Sequence, residues 1–117
     1  MVVPPALRIP MIIDTGAETS LISEQHMRSL GIPPKGRREI LTATSDAGAT
    51  ACSTYDVELK IGSYGDDPFI MPAIEVIGRP FFNHSIDGMI GRDLLSKLVL
   101  TINGPARQFR LDWTPNA

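Results

Sequence analysis

One cysteine, Cys52, is all the chain has for thiol chemistry, and its two histidines, His26 and His84, lie far apart in the sequence. No internal disulfide can staple the fold, and no cluster at metal-ligand spacing exists, so a disulfide scaffold and a zinc module are both excluded. Nor is there an excess of one charge: 11 basic and 13 acidic side chains leave a net −2. That balance argues against nucleic acid and against membrane surfaces, whose binding rests on neutralising phosphates or anionic head groups. No apolar run approaches the roughly 20 residues that cross a bilayer. Met1-Val2-Val3-Pro4-Pro5 lacks the basic start and long apolar stretch of a secretory leader, so a soluble, cytoplasmic chain is expected. What is present is 117 residues, 43% of them hydrophobic, which suits one globular domain over residues 1–117.

Ten glycines and ten prolines punctuate the chain and leave apolar segments of strand length between turn signals, the pattern of an all-β fold. Leu7 to Ile13 reads as a strand that stops at Asp14-Thr15-Gly16-Ala17, where an acid and a glycine signal a turn. Ser20-Leu21-Ile22 resumes a strand. Ser23 then caps a short helix over Glu24 to Leu30, which Gly31 closes and Pro33-Pro34 cannot continue. Glu39 to Thr44 and Thr50 to Ile61 form a hairpin with a small-residue tip, Ser45-Asp46-Ala47-Gly48. Further strands are expected at Phe69 to Ile77, despite Pro72, and at Ile86 to Ile90, with a short helix over Arg92 to Lys97. Leu98 to Ile102 and Gln108 to Trp113 flank an Asn103-Gly104 hairpin turn.

Two stretches carry the chemistry. In Met11-Ile12-Ile13-Asp14-Thr15-Gly16-Ala17-Glu18-Thr19-Ser20 an acid stands at the mouth of an apolar strand, followed by a hydroxyl and a glycine, so its surroundings can be held rigidly. In Ile86-Asp87-Gly88-Met89-Ile90-Gly91-Arg92-Asp93-Leu94-Leu95 two apolar residues, a glycine and a short helix describe a strand passing close beneath another backbone. Together they resemble the retroviral-type aspartic proteases, single-domain relatives of pepsin. The resemblance extends over nearly the whole chain in its order of elements. The helix from Glu24 to Leu30 and the C-terminal strand pair look more like the bacterial members and the protease-like domain of DNA-damage-inducible proteins than like the short viral enzymes.

The resemblance implies an all-β, closed-barrel acid-protease fold with one or two short helices, and an endopeptidase that needs no cofactor and no metal. Asp14, Thr15 and Gly16 look like the catalytic signature. The chemistry asks for a water activator and a proton donor, and two carboxyls about 3 Å apart supply both because they cannot both ionise. The chain has one Asp-Thr-Gly. Asp14 is therefore expected to meet Asp14 of an identical subunit across a two-fold axis, which makes the working unit a homodimer acting on a peptide or protein. By the same resemblance Thr15 braces the dyad across the axis, while Ala17 and Glu18 contact substrate main chain. Ile90, Gly91 and Arg92 support the site from behind, with Arg92 pairing to the acid at Glu18. Asp46, Ala47 and Gly48 form a flap tip that closes over the peptide, and Phe81 and Phe82 line apolar side-chain pockets. One departure is that only thirteen residues precede Asp14, where the family generally carries another strand. Either the chain has been trimmed, so that part of that strand is missing, or the strand is dispensable, and dimer stability and activity turn on which.

Asp14 alone is a turn or cap aspartate, and the distal stretch is what outweighs that reading. His26 reads as a helix-surface residue, His84 as a solvated loop residue, Cys52 as a small packed side chain and Trp113 as packing at the C-terminal edge. Asp66, Asp67 and Asp87 read as turn acids. Gly88-Met89-Ile90-Gly91 lacks the Gly-x-Gly opening of a dinucleotide site. The competing function is a catalytically weak or inactive domain of the same fold that serves for dimerisation or peptide binding.

Overall fold

The computed structural model describes residues 7–40, 50–62, 68–80 and 86–113. Eight strands and two short helices follow one another among them: β1 (Met11–Ile13), β2 (Leu21–Ser23), α1 (Glu24–Ser29), β3 (Gly36–Ile40), β4 (Thr50–Ile61), β5 (Phe69–Arg79), β6 (Gly88–Ile90), α2 (Arg92–Leu95), β7 (Val99–Asn103) and β8 (Gln108–Asp112). Six strands join in the order β1-β6-β2-β5-β4-β3, and β7 and β8 form a separate two-stranded sheet. The fold is mostly β, as expected. The six strands make a curled half-barrel with β1 and β3 at its two edges among the described residues. No helix among the described residues is long and apolar enough to cross a membrane.

The strand expected over Leu7 to Ile13 is shorter than its sequence suggested. Pro10 has no N–H to give a ladder, so β1 begins at Met11 and the Pro10 carbonyl instead accepts from the Asp87 amide at 2.9 Å. The proline in β5 has an equally local explanation. Val57 pairs with Ile74 and Leu59 with Met71, so Pro72 and Ala73 together oppose the single residue Glu58. Pro72 therefore occupies a bulge, where no ladder donor is required. Helix α1 ends at Gly31, whose φ of +70° is the left-handed geometry that favours glycine, and the Ile32 amide closes back on the Met27 carbonyl at 3.0 Å.

At the C-terminal hairpin the turn is longer than Asn-Gly alone. Asn103 already pairs with Gln108, and the chain reverses over Gly104 to Arg107, with Arg107 at φ +55°. The Asn103 side-chain oxygen accepts from the Ala106 amide at 3.1 Å, so the asparagine caps the turn rather than occupying its centre.

Ile22, Met27, Tyr55, Val76, Ile90 and Leu94 form the heart of the core. Trp113 leans on it through Phe69, the ring centroids 6.0 Å apart, which fits the packing role expected of it. On the outer surface Asp56 and Glu75 face each other directly across β4 and β5, a like-charge pairing that alone would be unfavourable. Lys35 reaches both carboxylates, at 3.3 and 3.2 Å, and hydrogen bonds first to Glu75 and then to Asp56 hold its ammonium above the usual lysine pKa.

Candidate active site

Asp14 is positioned by backbone before any side chain acts. β1 runs parallel to β6 with Ile13 opposite Ile90, and the Asp14 amide extends that ladder by one bond to the Ile90 carbonyl at 2.9 Å. The chain then turns: the Ala17 amide closes on the Asp14 carbonyl at 3.2 Å, and the Gly16 amide donates to Asp14 Oδ1 at 2.9 Å. One carboxylate oxygen is thereby fixed in the loop, while Oδ2 has no partner within the described residues of the chain. A Cβ on residue 16 would stand 3.2 Å from Asp14 Oδ1, which shows why glycine suits this position. Asp14 is half-buried, and Thr15 and Gly16 are exposed.

Behind this turn lies the distal stretch. A Cβ on Gly91 would fall 2.9 Å from both the Ala17 carbonyl oxygen and the Thr19 carbonyl carbon, and one on Gly88 would fall 2.8 Å from the Leu21 carbonyl oxygen. The two backbones touch, so side chains between them are excluded. The same approach lets the first turn of α2 hydrogen bond into the loop: the Arg92 amide donates to the Ala17 carbonyl at 2.8 Å and the Asp93 amide to the Glu18 carbonyl at 3.2 Å.

Two residues essential to this clamp were not singled out from the sequence. Asp93 accepts from the Ser20 amide at 2.9 Å and from the Ser20 hydroxyl at 2.7 Å, and Ser20 Oγ in turn accepts from the Gly91 amide at 3.0 Å. Ser20 is fully buried, so its polar atoms depend on these partners for satisfaction. An acid in the first turn of a helix that opens directly after the Gly91 contact was the available signal. Its partner across 73 residues could not be read from spacing.

Arg92 departs from the expected arrangement. Its guanidinium donates to the Thr15 carbonyl at 3.0 Å and makes no ion pair with Glu18. The turn places Glu18 where its main chain, not its exposed side chain, meets α2. Thr15 and Arg92 also line a shallow surface depression, open to solvent, with Leu95, Ser96 and Leu100.

His26 is not the free surface residue that its helix suggested. It is half-buried, with Nε2 3.3 Å from Asp87 Oδ2, so Asp87 is more than a turn acid. Cys52 is buried and accepts from the Arg79 guanidinium at 3.4 Å. Asp46, Ala47, Gly48, Phe81 and Phe82, expected to contact substrate, lie outside the described residues, as does His84. Among the described residues no group of three or more His, Cys, Asp or Glu side chains could hold a metal ion.

A family model described as aspartyl protease matches residues 6–94, a span holding both the Asp14 turn and the Gly91 contact beneath it. No curated protein matches the chain.

Proposed function

The chain belongs to the aspartyl protease family, and from that premise we propose that it is an endopeptidase whose water is activated between the Asp14 carboxyls of two identical subunits. The observation that carries the reading is the Asp14 carboxylate itself, held through Oδ1 by the Gly16 amide on an exposed turn of a chain with a single Asp-Thr-Gly. One copy supplies one carboxyl, and the chemistry needs two.

With one proton shared between the two carboxyls, the ionised one takes a proton from water as its oxygen attacks the scissile carbonyl carbon. The protonated one donates to the carbonyl oxygen, giving a tetrahedral diol. Collapse of the diol breaks the C–N bond as the departing nitrogen takes a proton, and one water has been consumed for one acid and one amine released. Thr15, exposed in the single chain, is free to brace the dyad across the axis. Ala17 and Glu18 follow it along the edge where substrate main chain would lie. Asp46, Ala47 and Gly48 would cover the peptide, and Phe81 and Phe82 would set a preference for apolar side chains around the cleaved bond.

A binding module of the same fold would have no use for the oriented Asp14 carboxylate, which favours the enzyme over that alternative. If the dyad is shared, activity follows dimer occupancy. Well below the dimer dissociation constant, a tenfold dilution is expected to lower specific activity about tenfold by mass action. Initial rates on a casein or peptide-library substrate, read beside sedimentation on the same dilution series, measure this. Specific activity that stays constant far below the dissociation constant contradicts it.

A further inference from the structure

The Thr15 carbonyl and the Gly16 N–H belong to one peptide group, and both ends of that group are engaged. At one end the Arg92 guanidinium donates to the Thr15 carbonyl at 3.0 Å. At the other the Gly16 amide donates to Asp14 Oδ1 at 2.9 Å. The two hydrogen bonds therefore run in series, from a cation through a single peptide to the Asp14 carboxylate. A cation on the carbonyl oxygen draws electron density along the conjugated C–N bond and leaves the amide proton more positive, so each bond of the chain strengthens the other.

Arg92 is fixed at both of its own ends. It opens α2 directly after Gly91, and its amide donates to the Ala17 carbonyl at 2.8 Å. Its backbone and its side chain thus hold carbonyls on either side of Gly16. Among the described residues the Arg92 guanidinium forms an ion pair with no carboxylate, so its charge is left to the Thr15 peptide. The elements around the turn offer no rival: β1, β6 and β7 carry no charged residue, and the Glu18 side chain is exposed. Asp93 of α2 is committed to the Ser20 amide at 2.9 Å and hydroxyl at 2.7 Å. We propose that Arg92 is a positioning residue for the reaction, which through the Thr15–Gly16 peptide strengthens and aims the hydrogen bond on Asp14 Oδ1 and leaves Oδ2 to the reacting water. The step rests on the reading of Asp14 as the acid–base group. Loss of the cation weakens the Gly16 bond and takes stabilisation from the ionised carboxylate.

The Gly16 amide proton reports on this relay without any cleavage, because its NMR shift follows both the strength of its bond and the ionisation of Asp14. Wild type, Arg92→Met, Arg92→Lys and Arg28→Met, the last removing the same charge from α1, are titrated with pH at fixed ionic strength. In Arg92→Met the resonance is expected to lie upfield at neutral pH. Its titration midpoint is expected to rise by about 0.5 pH unit, the size of effect that a solvent-screened unit charge one peptide away produces. Arg92→Lys keeps the cation without the planar fork and is expected to lie closer to wild type, while Arg28→Met is expected to match wild type. Both limbs of the pH–rate profile of Arg92→Met are expected to move up with the midpoint. Midpoint and limbs that stay in place, whatever happens to the melting temperature, overturn the relay; if Asp14→Asn is then inactive, the catalytic reading stands without it. A midpoint that moves while the limbs stay fixed shows a carboxyl outside the reaction, and overturns Arg92 as a positioning residue together with the catalytic reading of Asp14.

Discussion

Replacing Asp14 with Asn is expected to lower kcat by at least about 10⁴-fold while the fold survives. General acid–base groups each contribute about 10²- to 10⁴-fold, and in a symmetric dyad one substitution per chain deletes both. Asparagine keeps an oxygen to accept from the Gly16 amide, now 2.9 Å from Asp14 Oδ1, so the turn loses no hydrogen-bond partner. Stability is therefore expected to change by less than about 1 kcal/mol. Peptide cleavage beside thermal melting separates the two effects. Cleavage near the wild-type rate by the clean variant removes Asp14 from the chemistry. A large drop in melting temperature instead makes it a turn residue whose loss is structural.

Gly91→Val is expected to destabilise the protein by more than about 3 kcal/mol, at the severe end of single substitutions. Gly91 has an ordinary φ of −98°, so the cost is spatial and not conformational. Its Cβ would stand 2.9 Å from main-chain atoms of Ala17 and Thr19; the Ala17 carbonyl is held by the Arg92 amide, and the residues flanking Thr19 are held by Asp93, Glu18 through its carbonyl and Ser20 through its amide and hydroxyl. Nothing flexible is available to give way. Gly104→Ala is the contrasting case, with no atom within 4 Å of its new Cβ, and is expected to shift stability by under about 0.5 kcal/mol. Urea denaturation midpoints compare the two. Equal effects would mean that the strand under the Asp14 turn has room, against the close approach of the two backbones at Gly91.

The Asp14 turn and the strand beneath it were legible in the sequence because each depends on local chemistry. Asp14-Thr15-Gly16 announces a turn, and the glycines at 88 and 91 announce close backbone approach. The short helix α1, closed by Gly31, and the long strands β4 and β5 follow in the same way from a C-terminal glycine and β-branched composition, although Ser23, expected to cap α1, makes no side-chain cap hydrogen bond. What was not legible depends on pairs remote in sequence. Ser20 and Asp93 are 73 residues apart, and their bond exists only because Gly91 lets α2 reach the loop. The contact of His26 with Asp87 arises likewise, since the Ser23 amide binds the Asp87 carbonyl and brings the start of α1 to the entry of β6. Arg92 could be placed behind the site from its position, but its choice of the Thr15 carbonyl over Glu18 depends on how the turn presents its oxygens.

The proposed dyad takes one Asp14 carboxyl from each of two chains. Mixing wild type with Asp14→Asn at fixed total protein, after subunit exchange, tests it most directly. If both carboxyls are required, only wild-type pairs cleave, so activity follows the square of the wild-type fraction and an equal mixture retains about one quarter of full activity. A linear dependence, with about one half retained in the equal mixture, would show that each chain works alone and would contradict the shared dyad.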